Sequence, residues 1–330
     1  MSGGLRQRRI TATKTYLTEV GLGTAPLGNL YTSVTDGEAH EAIDAAWAAG
    51  IRFFDTAPHY GLGLAERRLG AALAARPRAE YVVCTKVGRL LRANPRPTGS
   101  DLSTGGFAVS DDLARVLDYS ADGVKRSLDE SLTRLGLDRV DIVLVHDPDD
   151  FEQQAVEETL PALLRLRDEG VITAVGVGMN QWQAPLRMIR AVDIDVVMVA
   201  GRWTLLDRSA APLLEECAAR GVSVLAAAPY NSGLLAREKP DEHAHFDYGA
   251  VPRPMLHRAR DAARRAQQHG LTLPQLAIQF PLRHSAVAAV VAGCASAQEV
   301  HDAVSRLTAH VGEADWAAIE EWSGPLPIGL

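Results

Sequence analysis

The chain is built on short runs that are apolar throughout: "VGLGTA", "IRFF", "YVVCT", "VDIVLV", "AVGVG", "IDVVMVA", "VSVLAAA" and "VAAVVAG". A strand with one wet face alternates apolar and polar residues, whereas a parallel strand covered on both faces stays apolar. The eight runs therefore predict eight buried parallel strands. Between most of them the spacing becomes helical. In "VKRSLDESLTRL" the residues Val124, Leu128, Leu132 and Leu135 step by four, four and three, and so share one helix face. Glycine stands just before a strand at Gly50, Gly170 and Gly221, where it can end a helix in the left-handed conformation without a Cβ clash. One βα unit is reused, which predicts an α/β fold of the (β/α)8 TIM-barrel class. A doubly wound sheet would carry a glycine fingerprint after its first strand, and none is present.

Two connections break this rhythm: 88–118, rich in Gly, Pro, Ser and Arg, and 236–257, with its Pro and His. They follow the third and seventh strands, so in a barrel both rise from the C-terminal face, where such folds keep their active sites. Long loops in compact domains are usually functional, so both are expected to wall a substrate pocket. No linker, composition shift or low-complexity segment divides residues 1–330, and one barrel domain is expected.

Composition narrows the partners. With 34 Lys and Arg against 41 Asp and Glu, the net charge of -7 disfavours nucleic acid or an anionic membrane as the main partner. A small-molecule partner fits better. Cys84, Cys217 and Cys294 lack paired spacing, which suits buried free thiols in a reducing compartment. The basic start "MSGGLRQRRI" is followed by no apolar core of a signal peptide, and no segment approaches a membrane span, so a cytoplasmic location is expected.

"GLGTAPLG" and "GLGLAERRLG" begin like dinucleotide loops but lack the third glycine at the required spacing. No G-x-S-x-G elbow or Walker loop occurs. "DEHAHFD", residues 241–247, could hold a metal, yet a solvated polar loop explains it as well, and no metal site is expected.

Four polar residues stand where apolar strands end: Asp55 after "IRFF", Tyr60 beyond it, Lys86 after "YVVCT" and His146 after "VDIVLV". Singly, each has an ordinary structural reading as a cap, a packing ring, a snorkelling amine or a core imidazole. In a barrel they converge. Tyrosine, with a pKa near 10, transfers protons poorly at neutral pH unless a cation favours its anion, and Lys86 could be that cation. A carboxylate such as Asp55 would keep the lysine charged in a dry mouth. His146 could orient the substrate oxygen. The set suits proton transfer at a carbonyl or alcohol oxygen beside a hydride acceptor.

These residues resemble the catalytic Asp, Tyr, Lys and His of the aldo-keto reductases. The resemblance runs through "GLGTAPLG", "DTAPHYGLGLAERRLG", "TKVGR", "DIVLVHDPD", "GVGMNQW", "RWTLLD", "YNSGLL", "LAIQFPLRH" and "VAGCASAQEV". It implies a barrel that binds extended NAD or NADP without a Rossmann fold. It also implies that Gly23, Thr24 and Asp55 approach the nicotinamide ribose, Asn180 binds the carboxamide and Trp203 supplies the stacked ring. Pro229, Tyr230, Asn231, Gly233 and Leu234, within 229–235, would cradle the pyrophosphate. Met179 and Ala200 replace a serine and a glutamine common in the family, which implies fewer carboxamide contacts. After the eighth strand, Gly293, Cys294, Ala295, Ser296, Ala297, Gln298 and Glu299 include no basic residue, and Arg306 is the first. A 2′-phosphate would lack a bidentate partner there, whereas Glu299 could accept ribose hydroxyls, so NAD is expected over NADP.

Within the family, "VHDPD", "GVGMNQW", "AGRWTLLD" and the eighth-strand segment most resemble NAD-dependent dehydrogenases that oxidise L-fucose and other D-threo aldoses at C1, with pyridoxal 4-dehydrogenases close by. His59, Arg89, Asp147 and Trp182 would line the pocket mouth, although His59 and Arg89 equally fit solvated loop positions. An NADPH-dependent aldehyde reductase and a cofactor-binding scaffold on the same barrel remain the alternative readings.

Overall fold

The computed structural model describes residues 4–247 and 249–322. The first three residues of the basic N-terminal stretch and residue 248 of the second long connection lie outside the described residues. Eight parallel strands close into a barrel: β1 (Val20–Gly23), β2 (Phe53–Asp55), β3 (Val82–Val87), β4 (Ile142–His146), β5 (Ala174–Met179), β6 (Val196–Ala200), β7 (Ser223–Ala227) and β8 (Val287–Gly293). Each pairs with its neighbours in the chain, and β8 returns to β1 with Val290 opposite Val20 and Gly293 opposite Gly23. All eight apolar runs are these strands.

The outer layer comprises α1 (Asp36–Ala48), α2 (Leu64–Leu73), α3 (Ala121–Leu135), α4 (Leu160–Asp168), α5 (Gln183–Ala191), α6 (Ala211–Arg220), α7 (Leu273–Gln279) and α8 (Ala297–Thr308). In α3 the predicted face is buried at Val124, Leu128 and Leu135, with Leu132 packed at its edge. Ser120 caps its first turn by accepting the Gly123 N–H at 3.0 Å, a contact that satisfies one of the free N–H groups of a helix start. The helix stops at Gly50, Gly170 and Gly221 have φ of 90°, 76° and 72°, as the sequence required. Two additional helices, Arg253–Gln268 and Glu313–Trp322, cover a second apolar cluster that includes Leu205, Leu234, Met255, Phe280 and Trp316.

The barrel is packed with Phe53, Ile142, Leu144, Val196, Met198 and Leu225. Ile10 and Leu17 join them, both fully buried. They come from an N-terminal hairpin, Gln7–Arg9 with Tyr16–Thr18, which seals the end where the strands begin. Arg8 donates to Leu282 O and Val287 O, and the Thr11 N–H donates to Ser223 Oγ.

Both long connections are more ordered than their composition suggests. Within 88–118, Arg89–Ala93 and Leu113–Leu117 form an antiparallel hairpin, with Arg89 opposite Leu117. The intervening loop docks on the segment after β1: Leu30 bridges Phe107, and Ala108 N–H donates to Asn29 O at 2.8 Å. The expected 236–257 loop ends earlier, at Pro252, because Arg253 already begins a helix. It contains a short bridge, His245–Phe246 with Gly249–Ala250.

Candidate active site

Asp55 ends β2, Lys86 is the penultimate residue of β3 and His146 ends β4, so adjacent strands deliver all three to the C-terminal mouth. Tyr60 follows on a turn in which Gly61, Leu62 and Gly63 all have positive φ. The turn rests on the backbone of Gly28: a Cβ on Gly28 would lie 2.8 Å from the Tyr60 carbonyl carbon, and one on Gly61 only 2.2 Å from Gly28 O. The glycines that imitate a dinucleotide loop thus include one that permits a backbone-on-backbone seat for the tyrosine. Lys86 Nζ is 2.8 Å from both Asp55 oxygens, 3.0 Å from Thr56 O and 3.1 Å from the Tyr60 hydroxyl. The His146 ring stands edge-on to Tyr60 with centroids 6.1 Å apart. The four residues singled out at strand ends are therefore one cluster.

Asp55 and Lys86 are each 2% exposed, so their charges survive only as a pair. Burial alone would drive the Lys86 ammonium down, but Asp55 and Tyr60 more than reverse this and hold it above its usual range. Burial pushes the Asp55 carboxyl up while Lys86 pulls it back. Lys86 pulls Tyr60 toward its anion, as expected, but it is not the largest influence. Burial outweighs the lysine, Asp55 opposes it, and the phenol is pushed up to about 12. Tyr60 is thus a neutral phenol in this state, poised to donate a hydrogen bond.

His59 and His146 lie with ring centroids 5.8 Å apart, and the Nδ1 of each is buried without a partner. Burial, then the nearby cations, drives His59 down to about 2 and His146 well below its ordinary 6.5. Both are neutral when folded, and each gains a proton when the chain unfolds in acid. Their contribution is therefore complete above about pH 6.5 and is lost as pH falls, at up to about 1.4 kcal/mol per histidine per pH unit. Thermal unfolding from pH 7.5 to 5 should show the loss, with a shallower slope in His59→Gln. An unchanged slope in that variant would contradict the assignment.

On the substrate side, Arg89 Nη2 meets Asp147 Oδ2 at 2.8 Å, and Asp147 lies beside His146 at φ 43°. Tyr119, just past the long connection and not singled out from sequence, gives its hydroxyl to the carbonyls of His146 and Asp147 at 2.7 and 2.9 Å. Phe107, also missed, packs its ring against His59 and Tyr60. Neither residue had a signal in the sequence, since Phe107 acts from the long connection and Tyr119 from just past it, on a path that depends on tertiary contacts. Trp182 immediately precedes α5, makes no side-chain capping bond to it, and packs, half-buried, on the barrel's outer core.

On the opposite side, Gly23 pairs with both Asp55 and Gly293, at the junction of β1, β2 and β8. Thr24 is fully buried, and its N–H and hydroxyl both go to Asp55 O at 2.9 Å. Its hydroxyl proton holds the end of β2. Asn180 follows β5 and is partly buried, with Met179 before it. Trp203 gives its indole N–H to Pro281 O at 3.3 Å and packs on Phe280 and His284. A stacking role would need the opposite face of that ring.

Between the ends of β6 and β7 lies a shallow, partly open hollow lined by Ala200, Gly201, Arg202, Ala228, Asn231, Ser232 and Asp247. Asn231 is 3% exposed, and its Nδ2 donates to Gly201 O, leaving Oδ1 buried with no donor. A buried acceptor of this kind suits a ribose hydroxyl or an amide N–H, both carried by a nicotinamide dinucleotide. Pro229 and Leu234 are buried, and Leu234 belongs to the second apolar cluster, so they can offer only backbone; Tyr230 is partly buried and Gly233 exposed. Arg202 reaches across to Asp247 at 2.8 Å, and Tyr31 stacks on His245 with centroids 5.1 Å apart. Residues 245–247 are thereby tied beside the hollow to the loops after β1 and β6.

Beyond β8, Ser296 caps α8 and Glu299 Oε2 accepts the Ala295 N–H at 2.7 Å. Gly293 abuts Pro26. Among the described residues, no group of three or more His, Cys, Asp or Glu is placed to hold a metal ion, and no helix is long and apolar enough to cross a membrane.

Comparison with known proteins agrees with this geometry. The chain is 43% identical over 315 residues to a D-threo-aldose 1-dehydrogenase of Pseudomonas sp., covering 94% of this chain and 91% of that one. It is 34% identical over 331 residues to a pyridoxal 4-dehydrogenase of Microbacterium luteolum, covering 95% and 96%. An aldo-keto reductase from Bacillus halodurans, solved in its holo form, superposes with a TM-score of 0.76 at 24% identity over 98% of this chain and 99% of that one, and so shares the fold. Residues 19–323 match the Aldo/keto reductase family, and with the barrel and its mouth as described, the chain belongs to that family of oxidoreductases.

Proposed function

We propose that this chain, acting as one barrel domain, is an NAD-dependent aldose 1-dehydrogenase that oxidises L-fucose or another D-threo aldose at C1 to the lactone. The observation that carries the reading is the placement of Lys86 Nζ between the Asp55 carboxylate and the Tyr60 hydroxyl. The 43% identity to a D-threo-aldose 1-dehydrogenase supports the substrate class.

Oxidised nicotinamide, when bound, would accept the C1 hydrogen with its electron pair and bring a positive charge to the mouth. Tyr60 takes the proton of the anomeric hydroxyl as the C1–O bond becomes a carbonyl. Lys86 stabilises the Tyr60 phenolate that accepts this proton and becomes the neutral phenol, and Asp55 keeps Lys86 charged. His146, neutral by burial, orients the reacting oxygen with a ring N–H. Oxidation therefore speeds up as pH rises, because each step toward the high Tyr60 pKa enlarges the phenolate fraction. Asn231 and the hollow beside it would hold the dinucleotide, with Gly23, Asn180, Gly293 and Ser296 around it.

Pocket chemistry favours a sugar. Two unpaired imidazole nitrogens and the Arg89–Asp147 pair offer donors and acceptors that a polyhydroxylated ring can satisfy. Phe107, at 2% exposure, has little face left for stacking a flat aromatic substrate. Near the adenosine end, Glu299 places a carboxylate and no cation, which favours NAD.

NADH formation from L-fucose, L-galactose, D-arabinose and pyridoxal, run with NAD and NADP in parallel, tests the reading. Sugars are expected to turn over with NAD, at least about tenfold better than with NADP. Turnover of pyridoxal alone would transfer the assignment to the 34% relative's chemistry. A clear NADP preference would overturn the cofactor reading.

A further inference from the structure

Tyr60 reaches Lys86 from a turn with three successive positive φ angles, one of them at a leucine, Leu62 at 51°. Such a turn stays in place only where its surroundings hold it. Gly28 supports it on one side. On the other, the hold comes from Arg115, in the second arm of the 89–117 hairpin. Its Nη2 donates to His59 O at 3.0 Å, the carbonyl of the residue before Tyr60.

Arg115 is itself fixed. Its guanidinium forms a two-pronged pair with Asp101, Nη1 to Oδ1 at 2.6 Å and Nη2 to Oδ2 at 2.7 Å. Asp101 is 2% exposed, gives its N–H to Val109 O and accepts the N–H groups of Thr104, Gly105 and Gly106. A side chain at Gly105 would strike the pair, with a Cβ 2.3 Å from Asp101 Oδ2 and 2.5 Å from Arg115 Nη2. The guanidinium also lies 5.8 Å from the centre of the Phe107 ring that packs on His59 and Tyr60. A planar fork satisfied on both prongs has one geometry, which lysine cannot reproduce.

We propose that Arg115, locked by Asp101, is a positioning residue: it fixes the His59 carbonyl and thereby the backbone from which Tyr60 addresses the substrate oxygen and Lys86. The inference rests on the reading of Tyr60 as the proton-transferring group. It assigns to the long connection a role in aligning the chemistry as well as walling the pocket.

Arg115→Lys keeps the charge and loses the fork. Turnover is expected to fall by about tenfold to a hundredfold, the scale of a small misplacement of a reacting group, with NADH affinity held within about twofold. The primary isotope effect from C1-deuterated sugar should rise as hydride transfer becomes rate-limiting. Hydrogen exchange over residues 57–64 should increase while β1 to β8 stay protected. Asp101→Asn, which keeps the shape but weakens the grip, should move both readouts the same way and serves if the lysine variant folds poorly. Wild-type kcat in Arg115→Lys, or a lower kcat with wild-type exchange over 57–64, overturns the proposal. Because exchange needs no substrate, it decides the point even if no sugar is turned over, an outcome that overturns only the substrate assignment.

Discussion

Tyr60→Phe is expected to lower turnover by about 100- to 10,000-fold, the range for loss of a positioned acid–base group. The ring should stay where it is, because Phe107 and His146 pack on it and not on its oxygen. Only the 3.1 Å contact to Lys86 disappears, and Lys86 retains both Asp55 oxygens and Thr56 O. Thermal stability and NADH binding should therefore be close to wild type while both directions of the reaction collapse. Steady-state kinetics beside a fluorescence titration with NADH checks this. Residual turnover near wild type would mean that the proton leaves by another route, with His146 the remaining candidate.

Lys86→Met should be worse, because it harms the fold as well as the chemistry. The substitution leaves the Asp55 carboxylate 2% exposed and without its cation. Stranding one member of a buried pair costs about 3–5 kcal/mol. The sign of the pH dependence follows from the direction of the shift. Burial raises the Asp55 carboxyl, so its protonated form is favoured in the fold and the deficit should narrow from pH 8 to pH 5. Adding Asp55→Asn should return much of the stability and none of the activity. Urea unfolding at the two pH values, with NADH formation alongside, separates the effects. A Lys86→Met protein as stable as wild type at pH 8 would show that the two groups do not depend on each other.

Strands and helix stops were legible because both signals are local: an unbroken apolar run needs no partner to be recognised, and a glycine before a strand states its own conformation. The cluster of Asp55, Tyr60, Lys86 and His146 was legible because the barrel converts order along the chain into convergence at one rim. The hairpin at 89–117 was not. "RLLRA" and "LARVL" carry charges and no continuous apolar face, and their pairing is fixed by docking on the loop after β1. Arg115 and Asp101 were illegible for the same reason, and so was the bond from the Thr24 hydroxyl to the Asp55 carbonyl. The direction of Lys86's pull on Tyr60 was legible, but the burial that outweighs it was not, because sequence supplies the neighbouring cation and not the extent of burial.

The hairpin at the barrel's closed end has a consequence for the order in which the chain can be finished. Its residues emerge from the ribosome before those of the barrel strands, yet the carbonyls that receive Arg8, at Leu282 and Val287, lie 274 and 279 positions later. Ser223, which accepts from Thr11, lies 212 later. Until the last strand is synthesised, Ile10 and Leu17 have an incomplete barrel to enter, and β1 lacks one of its two neighbours. Closing such distant contacts is slow. A nascent chain therefore carries its stopper unseated for most of translation, and amino-terminal truncation past Leu17 should be felt chiefly as aggregation during synthesis.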